Sequence, residues 1–391
     1  MERPDYMEFL IQNRDKENVK ILTGLRGSGK TTLLDHYRQH LIDSGVPARQ
    51  IIYVDVSDPA AAAYRDGRTL FNALCRRLVP SVRNYIFLDE IQNTAGFEQT
   101  ADDLFIRKNT DVYLTSSGNG AASAALLKLL PGRCAKKIVY PLSYAEYANG
   151  STGKTDEKEL FASYISQSTL PGYHRAQKES LENLCSSVLL KDILLHDRTL
   201  RPSLLNRILT YITAHAGRPL SRQRIAAAAG RVNRPLVVRT VHTYMAALAS
   251  SGILQCLELR GTAGKKENGN EYVFYMTDPG MIPVIAGSRK LSADILINHA
   301  ICMELLRRRE SVSALRIAPG CIGFLTSSNG ISAAWLVLPS ASSKEGKEKA
   351  AAFRKTDWGC VKYILAPDIR DSAVSSENVQ KKNLLKWLRM A

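Results

Sequence analysis

The feature that most constrains this chain is a glycine-rich loop that ends in lysine and threonine, GLRGSGKT at residues 24–31. It lies between a predicted buried strand, Val19 to Thr23, and a predicted helix, Lys30 to Asp43. Glycines let the backbone curl until consecutive N–H groups face one point, and the start of the helix adds the positive end of its dipole there. The loop therefore predicts a site for the phosphates of a nucleoside triphosphate. A glycine-rich turn without a ligand is the alternative.

The residues of this loop have separate predicted roles. Lys30 should reach the β- and γ-phosphates as a point charge, and the hydroxyl of Thr31 should bind Mg²⁺. The full set predicted to hold the nucleotide is Gly24, Leu25, Arg26, Gly27, Ser28, Gly29, Lys30, Thr31 and Thr32.

The first 150 residues alternate short apolar runs with longer helical stretches. The predicted strands are Val19 to Thr23, Ile51 to Val56, Tyr85 to Leu88, Val112 to Thr115 and Lys137 to Tyr140. The predicted helices between them are Lys30 to Asp43, Thr69 to Leu78, Gln99 to Lys108 and Ala121 to Leu130. This alternation predicts an α/β fold with a doubly wound parallel sheet, whose ligands bind at the carboxyl ends of the strands.

Two carboxylates, Asp89 and Glu90, directly follow the third predicted strand. We expect Asp89 to hold Mg²⁺, through water, and Glu90 to polarise the water that attacks the γ-phosphate. An apolar strand ending in two acids is often structural when it stands alone. Its position after the phosphate loop favours the functional interpretation.

Polar residues also follow the fourth predicted strand. Ser117 and Asn119 could sense the γ-phosphate, or could instead cap the helix that begins near Ala121. Arg133 could act on the γ-phosphate as an arginine finger, in its own chain or in a neighbouring subunit, or could be a solvated surface residue.

The chain after residue 150 is predicted to contain a helical connector at 151–200, a winged helix-turn-helix at 201–284 and a mixed α/β domain at 285–391. The three helices of the winged domain are Leu204 to His215, Ser221 to Ala229 and Pro235 to Ser250, and its strands are Ile253 to Leu259 and Glu271 to Met276. In the last domain, Ala293 to Arg309 and Asn378 to Arg389 are predicted as helices.

Positive charge is concentrated in the predicted winged domain. The chain has a formal net charge of +16, and residues 201–270 hold 11 lysines and arginines against two acids. Such a patch points to a polyanion, and a recognition helix with a basic wing is one way to bind double-stranded DNA. A lid or a protein-binding surface is the alternative. The residues expected to contact DNA are Arg222, Arg224, Arg231, Arg234, Arg239, Lys265 and Lys266.

These motifs together resemble a bacterial and archaeal family of AAA-type P-loop ATPases that carry a C-terminal DUF4143 domain. The resemblance rests on RPDY at residues 3–6, on the phosphate loop, and on YIFLDEIQ, DVYLTSSGNG, LPGR and YPLSYAE further along. It implies that the nucleotide is ATP and that Lys30, Thr31, Asp89 and Glu90 bind and hydrolyse it. The chain departs from the family where Ser116-Ser117-Gly118 replaces Gly-Ser-Asn and where Cys134 replaces an aromatic residue.

The resemblance also implies that the last domain has a restriction-endonuclease-like fold. The helix from Ala293 to Leu306 parallels the first helix of that fold and supplies Glu304. The family pattern Gly-x-Glu-Ile-Asp-Phe is replaced by Gly320 to Phe324, which contains no acid, so we expect a nuclease-like fold without the carboxylates that bind catalytic metal.

The remaining features exclude several classes. The seven cysteines are spread without a CxxC pair, which predicts free thiols and no zinc site. The start of the chain lacks a signal peptide pattern and no run of about 20 apolar residues occurs, so a cytoplasmic protein is expected. We predict a slow Mg²⁺-dependent ATPase that acts on a DNA-binding winged helix and an inactive nuclease-like domain. A regulatory nucleotide-binding switch that acts on a protein partner without DNA is the alternative.

Overall fold

The computed structural model describes residues 3–118, 121–151, 156–173, 178–195, 197–230, 236–261, 271–287, 291–309, 311–318, 320–375 and 378–390, apart from the side chains of 121–123 and 178. The chain forms two compact units, Met1–Pro141 with Ser250–Gly252, and Leu142–Ala249 with Ile253–Ala391. Apart from Ser250–Gly252, the three segments predicted at 151–200, 201–284 and 285–391 fall within the second unit, and their division into domains stays a prediction.

The first unit is built on a five-stranded parallel sheet. Its strands are β1 Val19–Gly24, β2 Ile51–Asp55, β3 Asn84–Asp89, β4 Thr110–Ser117 and β5 Cys134–Ile138, in the spatial order β2-β3-β4-β1-β5. Strand β4 therefore lies between β1 and β3, pairing Leu22 with Thr115 on one side and Leu88 with Leu114 on the other. The carboxyl ends of β1, β3 and β4 meet at one edge of the sheet, which is where the predicted site residues begin.

Helices cover both faces of this sheet, as the parallel arrangement requires. They are α1 Pro4–Gln12, α2 Lys30–Asp43, α3 Gly67–Arg77, α4 Phe97–Ile106 and α5 Ala121–Leu129. Alternate residues of each strand point to opposite faces. Ile86 and Leu88 pack with Leu104 of α4, whereas Phe87 packs with Tyr37 of α2 in a second cluster.

The second unit begins with helices and a small antiparallel sheet. Helices α6 Tyr144–Asn149, α7 Glu157–Ser166 and α8 Lys178–Ser187 come first, and a π-helical turn, Val188–Leu194, follows α8. The next elements are α9 Pro202–Ala214, β6 Pro219–Ser221, α10 Arg222–Ala229, α11 Val238–Ser250, β7 Leu254–Arg260, β8 Glu271–Met276 and α12 Met281–Ala286. Strand β8 pairs antiparallel with both β6 and β7.

The rest of the second unit extends this sheet to eight strands. Its elements are α13 Ala293–Arg308, β9 Ser311–Ala318, β10 Cys321–Ser328, β11 Ile331–Val337, α14 Lys344–Lys355, β12 Val361–Ala366, β13 Val379–Asn383 and α15 Leu384–Arg389. The spatial order is β13-β12-β11-β10-β9-β7-β8-β6. A short parallel pairing, Leu259 with Ala314 and Arg260 with Leu315, joins β7 to β9.

Several predicted elements differ from the observed ones. The fifth strand is Cys134–Ile138, where Lys137 to Tyr140 was expected, because Cys134 pairs with Val19 at the start of β1. The predicted helix from Asn378 to Arg389 is wrong in its first half, since Val379–Asn383 forms β13 beside β12 and only then does the capping side chain of Asn383 start α15. Strand β9 and helix α14 had no counterpart in the sequence analysis.

Candidate functional site

The glycine-rich loop follows β1 and turns directly into α2. Gly24 has a φ of +148°, and a Cβ there would lie 2.2 Å from the carbonyl oxygen of Val139. Gly29 has a φ of +93° at the N-cap of α2, a conformation that favours glycine. Within the described part of the chain, no side chain caps α2. The N–H groups at the start of a helix are a common binding site for an anion.

Lys30 is buried at the centre of this loop, with 4% of its surface exposed. Its Nζ donates hydrogen bonds to the carbonyl oxygens of Gly24 at 3.1 Å and Leu25 at 3.3 Å. These two acceptors hold the ammonium group within the loop that is predicted to bind phosphate.

Asp89 ends β3 beside the start of α2. The hydroxyl of Thr31 donates to Asp89 Oδ2 at 2.6 Å, the hydroxyl of Tyr53 donates to the same oxygen at 3.2 Å, and Thr115 donates to Oδ1. Burial raises the pKa of Asp89, although the hydrogen bonds from Thr115 and Thr31 act in the opposite direction. A hydroxyl and a carboxylate at this distance are the hard oxygen donors that Mg²⁺ prefers, so the two residues fit the predicted metal.

Glu90 has a left-handed backbone, with φ +54°, and its carboxylate accepts from several donors. Ser117 Oγ donates to Oε1 at 2.8 Å, while Gln92 Nε2 and Arg26 Nη2 donate to Oε2 at 2.7 Å and 3.3 Å. Lys30 Nζ lies 3.6 Å from Oε1. Burial acts to raise the pKa of Glu90, but the charges of Lys30 and Arg26 and the hydrogen bonds from Ser117 and Gln92 together lower it below its usual value.

The strand order explains why these residues meet. Because β4 lies between β1 and β3, its last residue, Ser117, lies between Lys30 and Glu90, and its Oγ is 3.4 Å from Lys30 Nζ. Ser117 is thus brought into the site, whereas Asn119 lies outside the described residues. The remaining loop residues, including Ser28 and Thr32, occupy the loop and the first turn of α2 as expected.

Sequence reasoning missed three residues of this site. Tyr53 and Thr115 both donate to Asp89, and Gln92 donates to Glu90. Thr115 and Gln92 carried a usable signal, because each lies at or just after the end of a predicted parallel strand. Tyr53 lies within β2, and nothing in its local pattern sets it apart from other strand residues.

Arg133 is not brought to the phosphate loop of its own chain. It precedes β5, and its carbonyl oxygen accepts from the N–H of Val19 at the amino end of β1. The loop follows the other end of β1, and a strand rises about 3.3 Å per residue, so Arg133 lies about 17 Å from the loop. Its guanidinium lies over the ring of Phe105 and lines a basic cavity of about 450 Å³ with Lys16 and Arg107.

Comparison with known proteins matches two family models to this chain. Residues 16–148 match the AAA domain, AAA_14, and residues 160–292 match a domain of unknown function, DUF8612. The match to the AAA domain covers the loop, Asp89, Glu90 and Ser117. Residues 16–148 are therefore similar to AAA-type P-loop domains. DUF8612 is a different family from DUF4143, so the resemblance to DUF4143 rests on the sequence motifs alone.

Relatives of known sequence or structure extend this comparison. An uncharacterized protein of Haemophilus influenzae is 24% identical over 335 residues, which is 83% of each chain. An uncharacterized protein of Methanocaldococcus jannaschii is 24% identical over 139 residues, 35% of this chain and 28% of that one. Among solved structures, a Walker-type ATPase of Pyrococcus abyssi is 15% identical with a TM-score of 0.49, covering 73% of this chain and 95% of that one.

The residues predicted to contact DNA lie in the second unit, after the residues that match the AAA domain. Arg222 begins α10 and its guanidinium lies 5.6 Å from the ring centre of Tyr272, while Arg224 and Arg239 are exposed on α10 and α11. Arg231, Arg234, Lys265 and Lys266 lie outside the described residues. Three of the seven residues predicted to contact DNA therefore lie in the part of the chain that the structure describes.

The last part of the second unit holds Glu304 away from solvent. Its carboxylate is fully buried and paired with Arg307 and Arg308 on the same helix. Across the described ranges, no three His, Cys, Asp or Glu side chains are grouped so that they could hold a metal ion. The described helices also include none that is long and apolar enough to cross a bilayer.

Proposed function

We propose that the AAA domain binds ATP with Mg²⁺ and hydrolyses it. The observation that carries this proposal is the convergence of four predicted residues at one edge of the sheet. Thr31 Oγ1 lies 2.6 Å from Asp89 Oδ2, and Lys30 Nζ lies 3.6 Å from Glu90 Oε1. A cation for phosphate, a metal-binding pair and a general base are the components that phosphoryl transfer to water requires.

Each of these residues has a defined task in the proposed reaction. Lys30 leaves the loop carbonyls to bind the β- and γ-phosphates, and the N–H groups of residues 27–31 bind the phosphate oxygens. Glu90 orients a water molecule for in-line attack on the γ-phosphate and accepts its proton. Ser117, between Lys30 and Glu90, contacts the γ-phosphate and the base together.

Thr31 and Asp89 would hold Mg²⁺ in this site. When bound, the ion supplies positive charge that stabilises the negative charge developing on the phosphate oxygens. The buried setting that raises the pKa of Asp89 is one in which a divalent cation would favour the ionised carboxylate.

We propose that the second unit responds to nucleotide state and contains a winged helix-turn-helix. The order α9, β6, α10, α11, β7, β8 is the order of elements in that motif, which supports the winged-helix interpretation. Exposed Arg224 and Arg239 lie on its second and third helices, and they support contact with DNA phosphates.

The segment after the winged helix supports a nuclease-like fold without nuclease chemistry. Helix α13 is followed by the antiparallel strands β9, β10 and β11, then by α14 and the parallel strand β12. Strands β10 and β11 contain no acidic residue, and Glu304 is paired with two arginines. We propose that this segment binds a partner or supports the fold and does not cleave DNA.

Arg133 has a proposed role only between subunits. Its position at the amino end of the sheet leaves its own γ-phosphate out of reach, whereas its exposed guanidinium could enter the nucleotide site of a second copy. A finger supplied in this way would make hydrolysis depend on assembly.

Phosphate release from ATP tests the proposed reaction. We expect Glu90→Gln to bind ATP and to release phosphate at least about 100-fold more slowly, since general-base catalysis commonly contributes that much. Unaltered release would remove Glu90 from its role. The matched control is Arg76→Gln, which changes an exposed residue of α3.

Duplex DNA separates the proposed function from its alternative. We expect duplex DNA to stimulate phosphate release by the wild-type chain, and the double variant Arg224→Ala/Arg239→Ala to lose this stimulation while keeping its basal rate. Turnover that does not respond to duplex at any salt concentration would favour a regulatory switch that acts on a protein partner.

A further inference from the structure

Arg26 is the third residue of the glycine-rich loop, and its charge is not needed for the loop to curl. The glycines and the start of α2 account for the backbone, whereas the Arg26 side chain reaches across to the end of β3. Its Nη2 lies 3.3 Å from Glu90 Oε2, and only 23% of the side chain is exposed. The phosphate loop is therefore tied to the proposed general base by an ion pair.

In this arrangement Glu90 has little capacity left for a water molecule. Oε1 accepts from Ser117 and faces Lys30, and Oε2 accepts from both Gln92 and Arg26. A carboxylate has about four acceptor positions, so these donors occupy most of them. One or more of these donors must move before Glu90 can orient the attacking water.

The γ-phosphate is the group that can compete for Arg26. Lys30, the proposed ligand of the γ-phosphate, and Arg26 both lie against the Glu90 carboxylate, so a triphosphate bound by Lys30 would bring its γ-phosphate close to Arg26. Guanidinium groups bind phosphate and carboxylate with the same fork of donors. ADP lacks the γ-phosphate and would leave the pair with Glu90 intact. ATP and ADP thus differ in the one group that can attract Arg26 away.

We propose that Arg26 is a positioning residue that exchanges Glu90 for the γ-phosphate when ATP binds. The exchange frees Glu90 to orient water, and loss of the γ-phosphate after hydrolysis restores the ion pair. Arg26 therefore acts as a sensor for ATP over ADP within a single chain. This inference rests on the proposed function, because it requires that the loop bind ATP.

The test compares Arg26→Met and Arg26→Lys with the wild-type chain and with Arg76→Met, an exposed control on α3. Equilibrium affinities are measured for ADP and for a non-hydrolysable ATP analogue with Mg²⁺, together with single-turnover hydrolysis of ATP. Arg26→Met should reduce the preference for the ATP analogue over ADP about tenfold, as expected for one charge-assisted hydrogen bond. Its affinity for ADP should change less than about threefold on the same scale.

Rescue and epistasis separate positioning from a structural effect. Arg26→Lys should recover part of the ATP preference, and Glu90→Gln should tighten binding of the ATP analogue. The tightening should be smaller in Arg26→Met/Glu90→Gln, since Arg26 is then absent. Equal weakening of ADP and the ATP analogue by Arg26→Met would overturn the inference, because that result indicates a damaged loop.

The two proposals fail in different ways. If the wild-type chain hydrolyses ATP and Arg26→Met keeps both its ATP preference and its rate, the Arg26 inference is wrong and the ATPase proposal stands. If the wild-type chain binds neither nucleotide, both are wrong. Should Arg26→Met fail to fold, the comparison of Arg26→Lys with wild type supplies the same readouts. Two results together would then contradict the exchange: Arg26→Lys prefers ATP over ADP as strongly as wild type does, and the effects of Arg26→Lys and Glu90→Gln on binding of the ATP analogue are additive.

Discussion

The hydroxyl of Ser117 donates a hydrogen bond of 2.8 Å to the carboxylate of Glu90, joining the ends of two neighbouring strands. Ser117 ends β4 and Glu90 follows β3, so the contact depends on β4 lying between β1 and β3. The same hydroxyl is 3.4 Å from Lys30 Nζ. A single side chain thus contacts both the proposed base and the proposed phosphate-binding lysine.

We predict that Ser117→Ala lowers the rate of ATP hydrolysis about tenfold while nucleotide affinity changes little, because a hydrogen bond to a charged group is lost near the base. The measurement is steady-state hydrolysis with a parallel binding assay. Ser116→Ala is the matched control, since the hydroxyl of Ser116 donates its hydrogen bond to the carbonyl oxygen of Ser117 and not to Glu90 or Lys30. Equal rates for Ser117→Ala and wild type would refute a role for this hydroxyl.

We predict that Thr31→Ala raises the Mg²⁺ concentration needed for half-maximal hydrolysis, because the hydroxyl next to Asp89 Oδ2 is a proposed metal ligand. Thr31→Ser keeps a hydroxyl and should restore most of the wild-type Mg²⁺ dependence. A Mg²⁺ titration of the three proteins checks this. Superimposable titrations of Thr31→Ala and wild type would place the metal elsewhere.

We predict that Arg133 acts only between subunits. Arg133→Ala chains and Lys30→Ala chains should each hydrolyse ATP slowly, and a mixture should exceed the sum of the two rates, because each variant then supplies what the other lacks. Light scattering on the same samples reports whether mixed oligomers form. Full activity of Arg133→Ala alone would show that this arginine is a surface residue.

We predict that Asp278 makes stability depend on pH. Burial raises the pKa of Asp278 from 3.8 to about 6, although hydrogen bonds from Thr169 oppose the shift. A folded-state pKa above the unfolded value means that the folded protein binds the proton of Asp278 more tightly than the unfolded chain does. The contribution of the protonated Asp278 to stability is therefore fully present below pH 3.8 and is lost as pH rises through about 6.

The measurement for Asp278 is the free energy of unfolding of wild type and Asp278→Asn at several pH values. Relative to Asp278→Asn, the free energy of unfolding of wild type should fall by about 3 kcal/mol between pH 3.5 and pH 7.5. This follows because each unit of difference between the folded and unfolded pKa corresponds to about 1.4 kcal/mol. A difference between the two proteins that stays constant over this range would contradict the prediction.

The sequence predicted the local elements of the first unit well because their signals are local. The loop, the apolar strand before Asp89 and the helix after Lys30 each lie within a short window. The contacts of Asp89 with Tyr53 and Thr115 could not be predicted in this way, because they depend on which strands are neighbours in the sheet. The ion pair between Arg26 and Glu90 depends on the same strand order.

The second unit was harder to predict for a related reason. Val379–Asn383 contains lysine, glutamine and asparagine and lacks the apolar run of a core strand, yet it pairs with β12 at the edge of the sheet. The join between β7 and β9 involves two residue pairs only, Leu259 with Ala314 and Arg260 with Leu315. Neither pairing leaves a periodic pattern in the sequence.

Equilibrium binding of ATP with Mg²⁺ to the full chain and to Lys30→Ala tests the central claim most directly. The wild-type chain should bind ATP saturably, and Lys30→Ala should lose at least about tenfold in affinity, because a buried ammonium that contacts phosphate is removed. Equal affinity of the two proteins, or no binding of ATP by either, would contradict the account.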